Sequence, residues 1–323
     1  VSALDEIGSG MRRQRQSSFD LEVLTRAAID RLKSGEKPNL VNTGFRALNR
    51  DIGGWPRGQL TIIAGRPSMG KTTVVLSSMR QAAKSGTTSL FFSMEMGRQE
   101  VSDRIMSDAV FNSQTPIHYS RIIRGEVTPY EIGRLEDTQE TLLGLPMRID
   151  DQPGLTAAEI GIRARRYQDE LERQGKTLDL VCVDHLGFMR ATDRYAGHRV
   201  HETGEKTLAL KELAKSLDVG MLALCQLSRE CEKRDDKRPQ LPDLRDSGDI
   251  EQDADTVIFC FREAYYLARI QHKDPEKELE RVTTLEIMEN IVELMGLKTR
   301  NGPIFNRRLF ADMGSNAIRD LAA

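Results

Sequence analysis

Six short, nearly continuous apolar runs recur along the chain, at QLTIIA (59–64), TSLFFSM (88–94), LDLVCVD (178–184), GMLALCQ (220–226), TVIFCF (256–261) and IVELMGLK (291–298). They are rich in β-branched residues and largely lack polar alternation, the pattern of strands covered on both faces. Stretches of helical spacing separate many of them, such as TTVVLSSMRQAAKSG (72–86) and EKTLALKELAKSLD (205–218). Strands interleaved with helices predict an α/β fold, a mostly parallel sheet flanked by helices.

Ahead of the first strand, Leu21, Leu24, Ala28 and Leu32 recur at helical spacing, with acids in the first turn and Gly35 and Pro38 beyond the end. This predicts a helix over about 19–33, preceded by a flexible, arginine-bearing lead (GSGMRRQRQSS). Its apolar stripe either packs on its own domain or docks on a neighbouring subunit. We therefore divide the chain into a lead and helix over 1–38 and one large α/β domain over 39–323. The charged stretch HKDPEKELERVTTLEIMEN, with Asp274 before Pro275 as a helix start, predicts a solvated surface insertion at about 265–290.

Charged residues make up 30% of the 323 positions, yet the formal net charge is -2. The overall balance thus points to neither a nucleic-acid nor a membrane partner, and any basic surface has to be local. Of the four cysteines, Cys182, Cys225 and Cys260 lie inside apolar runs as small core hydrophobes. No CxxC pair suggests zinc or redox chemistry, which fits a reducing cytoplasm. His198 and His201 form an HxxH, but nothing nearby completes a metal shell. No apolar run reaches the roughly 18 residues of a membrane span.

The chemistry begins at GRPSMGKTT (65–73), directly after a strand and directly before a helix. A glycine, four residues, a second glycine, then Lys and Thr form a phosphate loop. Gly65 and Gly70 allow the tight turn, and the backbone from Gly65 through Ser68, Met69, Gly70, Lys71, Thr72 and Thr73 surrounds the anion at a helix N-terminus. Lys71 meets the β and γ phosphates of ATP, and Thr72 takes a coordination position on Mg²⁺. Asp184 closes one apolar run and supplies the second metal carboxylate, or else starts a turn. Glu95 closes SLFFSME and activates water, or else favours the next helix start. Gln226 ends GMLALCQ and could sense the γ-phosphate, a weak signal by itself.

These motifs, with others downstream, resemble the ATPase domain of the bacterial replicative helicases of the DnaB family, a branch of the RecA-like P-loop NTPases. The resemblance runs from about Thr43 to Phe310, carried by TGFRALNRDIGGWPRGQLTIIAGRPSMGKT, FFSMEM, LVCVDHL, LALCQLSR, LRDSGDIEQDAD and LKTRNGP in family order. It implies that Lys71, Thr72, Glu95, Asp184 and Gln226 act as just described. It implies further that Lys298 and Arg300 reach the ATP site of the adjacent subunit; read alone, they are surface cations at a turn. Arg245, Asp246 and Gly248 resemble the loop that holds a DNA backbone without reading bases; read alone, they form a polar loop. Arg199 and Lys206 follow as weaker DNA candidates in a second channel-facing loop.

The sequence departs from the family pattern at His185, where Tyr is common, at Asp246, where Glu is frequent, and at Asp249, where Ser is frequent. The last adds a negative charge beside the DNA loop. The family's helical N-terminal domain is missing from these residues, and the 19–33 helix takes the place of its linker helix. The resemblance implies a ring-forming homo-oligomer, a hexamer, that moves 5′ to 3′ on single-stranded DNA in the cytoplasm, with a primase and a helicase loader as partners. Two other readings are a RecA-like regulatory or recombination ATPase and a non-catalytic ATP-dependent scaffold. Strand separation distinguishes the first of these, and a degenerate active site the second.

Overall fold

The computed structural model describes residues 20–34, 40–191, 199–244 and 247–321. The chain divides after Asn39 into two units. The described part of the first is the helix Leu21–Ser34, with Glu22 in its first turn and Arg31 and Lys33 in its last, charges that complement the helix dipole. Leu21, Leu24 and Leu32 along it are exposed.

The second unit is built on a nine-stranded sheet in the order β11-β10-β9-β8-β3-β7-β6-β4-β5. Its strands are β3 (Leu60–Gly65), β4 (Ser89–Ser93), β5 (Met147–Asp150), β6 (Leu180–Asp184), β7 (Gly220–Gln226), β8 (Thr256–Phe261), β9 (Ile291–Thr299), β10 (Phe305–Asp312) and β11 (Ala317–Asp320). A two-stranded ribbon of β1 (Leu40–Val41) and β2 (Trp55–Pro56) precedes them. The strands from β8 to β5 in that order are parallel. β9, β10 and β11 then run antiparallel at one side.

Successive residues on each central strand feed opposite cores, which is why the apolar runs are continuous. Ile62, Phe92, Val183, Ala223 and Phe259 face one cluster with the helices Ala157–Glu172 and Arg199–Leu217. Ile63, Phe91, Cys182, Leu224 and Ile258 face the other with the helix Lys71–Ala83. None of the four cysteines forms a disulfide, and all are buried.

β5, β10 and β11 are strands that the apolar pattern does not predict. β5 (MRID) is short and half-buried at the sheet edge, and β10 (FNRRLFAD) exposes its central Asn-Arg-Arg. In the stretch read as an insertion, the helix Pro275–Met288 starts at Asp274, whose side chain accepts the N–H groups of Glu276 and Lys277. Leu279 and Ile287 on this helix are exposed.

Candidate active site

β3 delivers the chain to the phosphate loop, and the helix Lys71–Ala83 leads away from it. Gly70 caps that helix at φ 85°, in the left-handed region, where a side chain is strained. The first helical bond runs from the Val74 N–H to the Gly70 carbonyl. The amides of Lys71, Thr72 and Thr73 therefore have no acceptor within the helix and suit an anion.

One reading of the loop needs correction. Gly65 is not part of the turn: it is the last residue of β3, and a Cβ there would lie 2.9 Å from the Cys260 carbonyl oxygen of β8. It is needed for strand packing. Met69 turns its side chain into the core and is 1% exposed, so only its backbone faces the loop. The residue that bends the apex is Ser68, at φ 66°.

The strand order places the ends of β3, β7, β6 and β4 side by side, with Gly65 opposite Gln226 and Asp184 opposite Ser93. Together with the loop they enclose a cavity of about 390 Å³ lined by Ser68, Gly70, Lys71, Thr72, Thr73, Glu95, Asp184 and Gln226. Lys71 Nζ donates to the carbonyls of Gly65 (2.9 Å) and Arg66 (3.3 Å). Burial holds the Lys71 amine below its ordinary value, while Asp184 and Glu95 pull the other way.

Thr72 Oγ1 donates to Asp184 Oδ2 at 2.7 Å. The other carboxylate oxygen, Oδ1, is buried with no hydrogen-bond partner. Burial pushes the Asp184 carboxyl up to about 6, against the hydrogen bond from Thr72. A buried carboxylate with an unused oxygen beside a hydroxyl is a hard oxygen donor set that fits Mg²⁺. Glu95, across the cavity, has a half-exposed side chain and lies 3.5 Å from His185 Nε2. Burial lowers the His185 pKa, and Glu95 opposes that shift.

The sequence reading missed further residues of the site. Arg104, on the helix Arg98–Ala109, lines the cavity and donates to Asn316 Oδ1 at 2.9 Å and to Glu100. One arginine on a charged helix carries no signal of its own. Arg262, next after β8, reaches the Ser68 carbonyl at 3.4 Å, and its Nε is buried without a partner. His185 lines the cavity too; the sequence marked it only as a departure from a pattern.

Lys298 and Arg300 lie elsewhere. β9 runs antiparallel to β8, so its C-terminal end lies beside the start of β8. The Arg300 N–H donates to the Asp255 carbonyl, five residues before Cys260, which is level with Gly65. At a rise of about 3.3 Å per residue the two sheet edges are about 17 Å apart, beyond the span of an arginine side chain. Arg300 pairs with Asp255 at 2.7 Å, which also accepts from Lys211 and the Leu60 N–H. Lys298 Nζ donates to the Glu251 carbonyl, in the helix Ser247–Asp253.

Arg245 and Asp246 fall outside the described residues, as does His198. Gly248 is exposed near the start of the helix Ser247–Asp253. Asp249 packs its carboxylate against Gly204 and shares a cavity with Glu205, Glu212 and Asp253. Lys206 does not present a free cation: it is 9% exposed, and burial lowers its pKa. Arg199 begins the helix that carries it. Among the described residues no helix is long and apolar enough to cross a membrane.

A parallel sheet whose adjacent strand ends surround a phosphate loop, with an antiparallel extension at one side, defines a RecA-like P-loop nucleotide-binding protein. The family model of the DnaB-like helicase C-terminal domain matches residues 41–317, and the chain belongs to that family. It is 35% identical over 303 residues to the replicative DNA helicase DnaB of Rickettsia bellii, covering 88% of this chain and 59% of that protein. It is 34% identical over 265 residues to the replicative DNA helicase DnaB of Geobacillus stearothermophilus, covering 82% and 53%. The chain thus spans little more than half the length of these curated relatives. Among solved structures, an ATPase domain determined by itself superposes with a TM-score of 0.80 at 27% identity, covering 94% of this chain and all of that one. A DnaB-like replicative helicase, solved to show its interactions with primase, superposes with a TM-score of 0.77 at 27% identity, covering 99% and 70%.

Proposed function

We propose that this chain is the ATP-hydrolysing motor of a replicative DNA helicase, a homo-hexameric ring that moves on single-stranded DNA in the cytoplasm. The observation that carries the reading is that one cavity, in a member of this family, unites Lys71, Thr72, Glu95, Asp184 and Gln226. Lys71 and the helix amides bind the β and γ phosphates of ATP. Thr72 and Asp184 hold Mg²⁺, which when bound neutralises charge on the phosphate oxygens. Glu95 takes a proton from the attacking water as the bond from the γ-phosphorus to the β–γ bridging oxygen breaks, leaving ADP and phosphate. Gln226 donates to the γ-phosphate.

Lys298 and Arg300 sit at the far edge of the sheet from their own phosphate loop, which suits cations that complete a neighbour's site. The described ends of their contacts, Glu251 and Asp255, follow the segment of Arg245, Asp246 and Gly248, which we assign to the DNA backbone. A shift of these cations toward a neighbour's ATP thereby moves the DNA grip. The primase and loader partners are carried over from the family and complete the proposal.

The test is unwinding of a forked duplex with and without ATP, beside a sizing measurement on the same sample. The reading predicts ATP-dependent strand separation by a ring, and loss of both hydrolysis and unwinding in Lys71→Ala. DNA-stimulated hydrolysis without strand separation would instead favour a recombination-type ATPase.

A further inference from the structure

We propose that His185 is a positioning residue for Glu95: its ring N–H holds the carboxylate in place to receive the proton of the attacking water. The proposal rests on the reading of Glu95 as the base.

The ring is fixed from two sides and faces Glu95 on a third. The Gly187 N–H donates to His185 Nδ1 at 3.0 Å. A nitrogen that accepts carries no proton, so the imidazole is neutral and its hydrogen sits on Nε2. That Nε2 faces Glu95 Oε2 at 3.5 Å. Phe188 packs against the ring with centroids 4.5 Å apart. Gly187 also leaves the room: a Cβ there would lie 2.7 Å from His185 Cε1 and 2.9 Å from Nδ1. The His185 side chain is 14% exposed, against 52% for Glu95.

The asymmetry gives the arrangement its purpose. A half-exposed glutamate on a loop has several rotamers open to it, whereas a general base must stay within hydrogen-bond reach of one water. An ordered neutral donor can hold it there. At 3.5 Å the pair is longer than a formed hydrogen bond, and catalytic hydrogen bonds commonly tighten once the reacting complex forms. Asp184, the preceding residue, faces Thr72, so the adjacent side chains Asp184 and His185 set the metal and the base respectively.

The test is steady-state ATP hydrolysis by the full chain with single-stranded DNA, comparing Glu95→Gln, His185→Phe, His185→Gln and Gly187→Ala. His185→Phe keeps a ring and loses the donor. Its kcat should fall by up to about a hundredfold, the scale of a misplaced catalytic group, with the KM for ATP unchanged. His185→Gln restores an N–H at similar reach and should recover most of the rate. Gly187→Ala displaces the ring without altering it and should lower kcat as His185→Phe does; it also carries the test should His185→Phe fold poorly. Added to Glu95→Gln, His185→Phe should cost nothing more. A wild-type kcat in His185→Phe while Glu95→Gln is inactive overturns the role of His185 and leaves the base assignment standing. Equal loss in His185→Phe and His185→Gln, or a raised KM at wild-type kcat, overturns it as well. Wild-type hydrolysis by Glu95→Gln removes the base assignment and the positioning role together.

Discussion

At Asp184, burial and chemistry oppose each other. The carboxyl is 1% exposed, and burial raises it to about 6, above the value of about 3.9 of an unfolded aspartate. Between those values the folded state holds a proton that the unfolded state has released, so this residue's contribution to stability is full below about pH 4 and is lost as pH rises through 6. In metal- and nucleotide-free protein, Asp184→Asn should therefore melt higher than wild type at about pH 7 to 8, with the gap shrinking toward about pH 4. Thermal melts across that range with chelator check it; a gap that is constant with pH contradicts it. The same substitution should abolish the added stability from Mg²⁺ and nucleotide. Asp184, Glu95 and Gln226 were legible because a polar residue closing a buried apolar run has one place to emerge, the edge of the sheet. Arg104 was not, because its place at the site comes from tertiary packing on Asn316. The burial of Lys206 was legible too: it lies four residues before Leu210, which is fully buried, and so shares its helix face.

Among the elements, helix ends and glycines divide into those that specify the fold and those that merely permit it. The helix Pro129–Leu142 opens on a capping box: Thr128 accepts the Glu131 N–H, and the Thr128 N–H donates to Glu131 Oε2 at 2.8 Å. Thr128→Ala should cost about 1 kcal/mol. Gly133, inside the same helix, has nothing within 4 Å of a built Cβ, and Gly133→Ala should gain about 0.5–1 kcal/mol. Gly65→Ala should lose about 1–3 kcal/mol, because the new carbon meets the Cys260 backbone of the adjacent strand. Urea denaturation of the three variants checks the order, and a stabilised Gly65→Ala contradicts the packing account. The central strands were legible because both faces are buried. β5 and β10 were not, because edge strands meet solvent and their polar residues erase the apolar run.

For the whole molecule, the decisive feature is the antiparallel return of β9. It carries Lys298 and Arg300 to the sheet edge opposite the phosphate loop, so under the proposed function one polypeptide holds the two halves of a catalytic site on opposite edges. Sequence alone showed the cations and their spacing, but not the direction of the strand that bears them, since an apolar run reads the same in either sense. The proposed closed ring would resolve the separation by apposing the edges of successive subunits. The most direct test mixes two inactive proteins, Glu95→Ala and Arg300→Ala, in equal amounts and measures ATP hydrolysis on single-stranded DNA. If each site is shared, about a quarter of the interfaces in a randomly mixed ring pair an intact Glu95 with an intact Arg300, and turnover should return toward that fraction of wild type. Hydrolysis that stays at the level of either protein alone, after mixing of subunits has been demonstrated, would contradict a site built across the seam.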